Sequence, residues 1–160
     1  MEHISLINEF ATDTIEGLSS NNKFLSSKYF YDYNGSRIFQ DIMRMPEYYL
    51  TDCELEIFET QKQHILDELN TNNGGFQLIE LGAGDGLKTK ILLKHFLEKE
   101  VNFKYSPIDI SKDAVVQLVD GIRKEYPQLK VKGLIGDYFN LISQIQPNGY
   151  SKKIVLFLGS

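Results

Sequence analysis

Glu80-Leu-Gly-Ala-Gly-Asp-Gly-Leu87, directly behind the apolar run Phe76-Gln-Leu-Ile79, is the stretch on which the fold turns. It reads as a strand that runs into three alternating glycines and then into a helix beginning at about Leu87. Glycine is needed where backbone must turn tightly and lie against a ligand without a Cβ in the way. A helix starting there aims its free N–H groups, and the positive end of its dipole, at that ligand. Nucleotide-type cofactors are held in this way, and the glycine spacing says which kind.

Three glycine-rich loops compete. The dinucleotide fingerprint G-x-G-x-x-G needs its last glycine one residue later than Gly82-x-Gly84-x-Gly86 supplies it. The phosphate loop G-x-x-x-x-G-K-[ST], counted from Gly82, finds Leu87 at its second glycine, followed by Lys88 and Thr89. A leucine there opposes the backbone wrap that presents N–H groups to phosphates. The remaining reading is the E/D-x-G-x-G-x-G loop of S-adenosylmethionine-dependent methyltransferases, whose ligand carries a sulfonium and an amino acid in place of phosphates. On the loop alone this reading leads, with a ligand-free turn as the bland alternative.

The following segments favour the ligand. After an amphipathic helix near residues 88–98 comes Phe103-Lys-Tyr-Ser-Pro-Ile-Asp-Ile110, a second strand with Asp109 at its tip. An acid about twenty residues beyond the glycines is placed to accept hydrogen bonds from both ribose hydroxyls. Ser111 fills the capping role for the next helix, which leaves Asp109 free for a ligand. A third strand, Leu129-Lys-Val-Lys-Gly-Leu-Ile135, ends in Gly136-Asp-Tyr138. In a doubly wound sheet that tip also faces the crevice, so Asp137 could accept from an adenine amino group and Tyr138 could cover a face of base or ribose. A fourth run, Lys153-Ile-Val-Leu-Phe-Leu-Gly159, is apolar without alternation, as suits a parallel strand buried on both faces.

Composition narrows the rest. The 160 residues are enough for one domain with a real core. A net charge of −5, a pI near 5.2 and the lack of any Lys/Arg cluster argue against a nucleic-acid partner. No apolar stretch is long enough to span a bilayer, and Met-Glu-His-Ile-Ser at the N-terminus lacks the regions of a signal peptide. A single cysteine, Cys53, suits a reducing cytoplasm and reads as helix packing. His3, His64 and His95 share no ligand spacing, so no metal site is expected.

Residues 1–72 look helical and loop-like, whereas 73–160 alternate strand and helix, with Thr71-Asn-Asn-Gly-Gly75 at the border. Helical periodicity covers residues 4–18, Gly35-Ser36 opens a second helix, and Thr51-Asp-Cys-Glu54 is a capping box that starts a long third one. Between them lie Tyr29-Phe-Tyr-Asp-Tyr33 and Pro46-Glu-Tyr-Tyr49. Such clusters usually fill core, yet their hydroxyls need partners and they sit in loops, where side chains more often line sites.

Taken in order, Tyr29-Phe-Tyr-Asp32, Gly35-Ser36, Phe39, Pro46-Glu-Tyr-Tyr49, Thr51, Glu54, Glu80-Leu-Gly-x-Gly, Lys88-Thr89, Asp109, Gly136-Asp137 and Phe157-Leu-Gly-Ser160 resemble the histidine-specific, S-adenosylmethionine-dependent methyltransferases. The best-known member of that family trimethylates the α-amine of L-histidine to hercynine, the first step of ergothioneine synthesis. The resemblance implies a class I methyltransferase fold: a Rossmann-like, doubly wound parallel α/β sheet, here its first four strands, preceded by an N-terminal helical segment from a split lid domain. It implies S-adenosylmethionine held by Gly82, Gly84, Gly86, Lys88, Asp109, Asp137 and Tyr138. It also implies Tyr31 beside the cofactor, with Tyr48 and Gly159 touching the amino-acid substrate, and the tyrosine hydroxyls of Tyr31 and Tyr48 are given the catalytic role of orienting the amine's lone pair.

Three departures qualify the match. Gly82-Ala-Gly-Asp-Gly86 stands where the better-known member has Gly-Ser-Gly-Thr-Ser, and Tyr138 stands where Phe is usual. The third is that the sequence stops at Ser160, where the family continues into further strands and the residues that grip the imidazole. Four strands in the order 3-2-1-4 would leave residues 154–158 as a bare apolar edge, which invites self-association. The expectation is therefore the N-terminal part of a longer cytoplasmic enzyme, inactive by itself, with a noncatalytic cofactor- or partner-binding module as the alternative if the chain is naturally this short.

Overall fold

The computed structural model describes residues 2–30, 32–69, 74–145, 149–150 and 152–158. Helices α1 (Glu2–Ser19), α2 (Tyr33–Met43) and α3 (Leu50–Leu69) come first, with a short 3₁₀ turn at Ser27–Phe30. Asp32 caps α2 by accepting from the Gly35 amide at 2.7 Å. The capping box expected at Thr51 does not form. Helix α3 already begins at Leu50, Thr51 Oγ1 is buried without a hydrogen-bond partner among the described residues, and Glu54 reaches away to Lys88. Cys53 lies on α3 as expected but is exposed, so it does not pack.

Strand β1 (Phe76–Leu81) is central, with β2 (Phe103–Asp109) parallel to it on one side and β5 (Lys152–Phe157) parallel on the other. The third expected strand is broken. It forms β3 (Lys130–Val131) and β4 (Leu134–Ile135), both paired to β2, interrupted at Lys132-Gly133. The order β3-β2-β1-β5 reverses direction after β1, the switch point at which a doubly wound sheet opens its ligand crevice.

Helices α4 (Thr89–Glu98) and α5 (Lys112–Glu125) cover one face. Phe76, Leu78, Phe103 and Tyr105 of the sheet meet Leu92, Leu93, Phe96, Leu118 and Ile122 there in the main core. Ser111 caps α5 as expected, accepting from Ala114 N. The opposite face carries a smaller cluster of Ile79, Ile108 and Ile145, beside the short α6 (Tyr138–Ile142). Strand β5 was expected to be buried on both faces, but Val155 is 43 % and Phe157 68 % exposed. Among the described residues it has β1 on one side and no strand on the other. The segment border expected at residues 71–75 falls largely outside the described residues.

Candidate functional site

The glycine loop folds over the tip of β2 and spends its amides internally. Gly82 and Ala83 both donate to Ile108 O, at 2.8 and 3.1 Å, and Gly86 donates to Ala83 O at 2.9 Å. Gly84 N donates to Asp109 Oδ2 at 2.9 Å and Leu87 N to Asp85 Oδ1 at 3.0 Å. Gly82, Gly84 and Gly86 all have positive φ (67°, 53° and 66°), a conformation that only glycine adopts cheaply. A phosphate loop needs the reverse arrangement, with successive N–H groups turned outward as a nest. The helix also starts two residues later than expected, at Thr89, with exposed Leu87 outside it.

Asp109 is not free, contrary to the sequence expectation. Its Oδ2 receives Gly84 N and its Oδ1 receives Ser111 N, each at 2.9 Å. The carboxylate thus staples the loop to the start of α5. A carboxylate offers about four lone-pair sites, so each oxygen retains room for one further donor.

Glu80, the acid that opens the motif, is buried beneath the loop at 3 % exposure. Thr89 Oγ1 donates to its Oε1 at 2.5 Å, and the Tyr105 hydroxyl donates to its Oε2. Burial pushes the Glu80 carboxyl up to about 7, against the opposing pull of these two donors and of nearby Lys88. The role of Tyr105 was missed in the sequence. Its signal was a tyrosine inside an otherwise apolar buried strand, where the hydroxyl must find a partner.

Above the loop lies a crevice of about 790 Å³. Its floor is Glu80–Lys88 with Asp109 and Ile110, its far wall Gly136, Asp137, Tyr138 and Phe157, and its near wall Phe39, Gln40 and Met43 of α2. Gly82, Gly84, Gly86, Lys88, Asp109, Asp137 and Tyr138 are therefore brought together. Lys88 Nζ pairs with Glu54 Oε2 at 2.6 Å, which ties α3 to the loop. Asp137 caps α6 through Asn140 N at 3.1 Å, a helix the sequence reading did not foresee. Tyr138 packs its ring 5.7 Å from that of Phe157. Tyr48 is not among the lining residues. Its ring stands edge-on to Phe39, centroids 6.1 Å apart, and Phe39 makes the wall. Tyr31 and Gly159, expected at the amine and the substrate, lie outside the described residues.

Residues 10–160 match the family described as histidine-specific, S-adenosylmethionine-dependent methyltransferases. The chain belongs to this family. The histidine N-alpha-methyltransferase of Mycolicibacterium smegmatis is 33 % identical over 148 residues, covering 92 % of this chain and 44 % of the relative. That of Mycobacterium tuberculosis is 30 % identical over the same shares. The N-methyltransferase fsqC of Aspergillus fumigatus is 25 % identical, over 96 % of this chain and 42 % of its own length. The chain thus spans less than half the length of these relatives.

The crevice fits the cofactor of a family of this description. Four carboxylates, Glu80, Asp85, Asp109 and Asp137, line it against three lysines, Lys28, Lys88 and Lys90, of which Lys28 and Lys88 are already paired with Glu9, Asp13 and Glu54. Such a lining opposes a polyphosphate and suits a ligand bearing a sulfonium and an ammonium. A Cβ added to Gly82 or Gly84 would meet nothing within 4 Å, so these two positions face open space where a ligand can lie against backbone.

Proposed function

We propose that this chain is the cofactor-binding part of an S-adenosylmethionine-dependent N-methyltransferase acting on the α-amine of an amino acid, with L-histidine the first candidate. The observation that carries the reading is the Asp109 carboxylate, anchored to the Gly84 and Ser111 amides beside a glycine loop whose own amides point inward. That arrangement suits ribose hydroxyls and is poor for phosphates. The names of the bacterial relatives support histidine, while the fungal relative is named only as an N-methyltransferase, so the acceptor is the finer point of the proposal.

On this reading, residues 1–72 belong to a lid and substrate segment and residues 73–160 to the cofactor-binding sheet, in a cytoplasmic enzyme. Among the described residues no helix is long and apolar enough to cross a membrane. The cofactor supplies an electrophilic methyl on sulfur. The protein's task is to hold an amine in line with it, which is a proximity effect. An α-amine has a pKa of about 8, and only its neutral form has the lone pair that attacks. Tyr31 and Tyr48 are the hydroxyls assigned to accept an N–H bond and turn that lone pair. Lys88 and Tyr138 complete the cofactor's surroundings.

S-adenosylhomocysteine should raise the melting temperature of this chain in a concentration-dependent way, and ATP should not. A shift with ATP and none with S-adenosylhomocysteine would overturn the cofactor assignment. Incubation of the enzyme with S-adenosylmethionine and single amino acids, read by mass spectrometry, addresses the acceptor. Methylation of another amine and none of L-histidine would overturn that part alone.

A further inference from the structure

Lys88-Thr89 is the Lys-[ST] pair with which a phosphate loop ends, and the structure holds both residues with carboxylates. Thr89 Oγ1 donates to Glu80 Oε1 at 2.5 Å beneath the glycine loop. Lys88 Nζ donates to Oε2 of Glu54, a residue of α3, at 2.6 Å. The side chains of that ion pair are only 13 % and 23 % exposed, so salt screens it less than a pair on the surface. Lys88 lines the crevice, and Glu54 stands behind it, outside the lining.

That pairing sets how much positive charge the crevice presents. In a phosphate loop the lysine reaches the phosphate oxygens as a point charge. Here an acid behind the lysine offsets it. What remains of the lining is Glu80, Asp85, Asp109 and Asp137 against Lys28 and Lys90, and Lys28 is itself paired with Glu9 and Asp13. Burial pushes the Glu80 carboxyl up to about 7, so near neutral pH it carries only part of its charge. The sign of the crevice therefore depends the more on whether Lys88 is neutralised.

We propose that Glu54 is a specificity-determining residue: by holding Lys88 from outside the crevice, it tilts the site towards a sulfonium and away from a thioether or a nucleoside triphosphate. The inference rests on the cofactor assignment made above. Glu54 acts through Lys88 and is in this sense a positioning residue. S-adenosylmethionine and S-adenosylhomocysteine differ by one methyl group and one positive charge. Whatever Lys88 gives to the parts they share cancels in the ratio of their affinities, as do the contributions of Lys28 and Lys90. Two unit charges about 10 Å apart, at an effective dielectric of about 20, change an affinity by roughly tenfold.

Calorimetry with both ligands on the 160-residue chain tests this. Glu54→Gln keeps an acceptor for Lys88 and loses the charge. It should lower the affinity for S-adenosylmethionine relative to S-adenosylhomocysteine by about fivefold to tenfold, and strengthen ATP binding by a similar factor. Lys88→Gln leaves Glu54 charged and should move the ratio the other way, a second reading that does not depend on the first variant folding. The double variant Glu54→Gln/Lys88→Gln removes both charges and should return the ratio to within about twofold of the wild type. If Glu54 were only a brace between α3 and the loop, Glu54→Gln would weaken both ligands equally and lower the melting temperature, and that result overturns the proposal. So does a double variant that keeps the ratio of Glu54→Gln, because the effect would then not pass through Lys88. ATP binding unchanged in Glu54→Gln would overturn the exclusion of phosphates. A wild-type chain that binds neither ligand would overturn the cofactor assignment itself, whereas one that binds both, with a ratio that no variant moves, overturns this inference alone.

Discussion

The two halves of this chain use apolar residues in opposite ways. From residue 76 onward they close on themselves: Phe76, Leu78, Leu93, Phe96 and Tyr105 are all at or below 1 % exposure. Before it, among the described residues, only Phe58 and Leu66 of the hydrophobic ones are buried, both on α3 where it lies on α4. Phe24, Phe30, Ile38, Met45 and Tyr49 are each at least half exposed. The α/β half therefore contains its own source of stability. The helical half contributes the near wall of the crevice and draws little from its own packing. The wall that the first half gives the crevice rests on a frame supplied by the second.

The sharpest way to break this comparison is to remove one aromatic ring from each half. Phe96 is fully buried and meets Phe76 and Phe103 edge-on, with centroids 5.7 and 5.6 Å away. Phe96→Ala should cost about 3–5 kcal/mol, as transfer and cavity terms add. Phe30→Ala, at a ring 60 % exposed, should stay within about 0.5 kcal/mol. Denaturant unfolding of the two variants reads both numbers, and equal losses would mean that the halves share one core.

What was legible in the sequence follows the same division. The glycine loop, the place of Asp109 at the tip of β2 and the cap at Ser111 could be read because each is a local pattern with a local cause. The break in the third strand could not. Lys130-Val-Lys-Gly-Leu134 has the look of a continuous strand, but Gly133 lies so close to α5 that an added Cβ would come 2.4 Å from Val115 Cγ1. That is a tertiary constraint with no local trace. Gly84 as a partner of Asp109 and Tyr105 as a partner of Glu80 were hidden for the same reason, since each lies 25 residues away in the chain. The placement of Tyr48 behind Phe39 depends on how α2 and the Pro46–Tyr49 loop pack, which periodicity does not encode.

The second test is one of pH and stays inside the α/β half. Glu80 titrates near 7 in the folded chain, against an ordinary value of 4.5. A raised carboxyl binds its proton more tightly folded than unfolded. Its contribution is therefore complete below about pH 4.5 and is lost as pH rises through about 7. At about 1.4 kcal/mol per unit, the loss is on the order of 3 kcal/mol. Glu80→Gln should flatten that part of the stability profile, because the amide carries no charge to desolvate. A wild-type profile flat from pH 5 to 8, by urea unfolding, would mean that Thr89 and Tyr105 already compensate for burial.

Asp109 sits where the frame becomes function, and its substitution sharpens the boundary between the two. In Asp109→Asn one oxygen is replaced by an NH₂ group that must face either Gly84 N or Ser111 N, two donors. The loop loses one staple and, on the proposed reading, the ribose hydroxyls lose a charged acceptor. Charge-assisted hydrogen bonds are worth about 1.5–3 kcal/mol, so affinity for S-adenosylhomocysteine should fall about tenfold to a hundredfold. Calorimetry that found lower stability and unchanged affinity would make Asp109 a brace for the loop and no ligand to the cofactor.

The smallest expected effect is the most discriminating, because it asks whether the helical half touches substrate at all. Tyr48 is partly buried and leans on Phe39, and its hydroxyl has no hydrogen-bond partner among the described residues. Tyr48→Phe keeps the ring and its edge-on contact, so stability should change by no more than about 0.5 kcal/mol. If the hydroxyl is spent on the acceptor amino acid, affinity for L-histidine should weaken by about 0.5–1.5 kcal/mol while that for S-adenosylhomocysteine holds. Both dissociation constants and the melting temperature of the variant decide it. Unchanged affinity for both ligands would make Tyr48 a prop for Phe39, and the helical half would then shape the crevice through that wall alone. Weakened cofactor affinity with intact acceptor affinity would move Tyr48 to the other side of the site, and the substrate assignment of the Pro46–Tyr49 loop would fall with it.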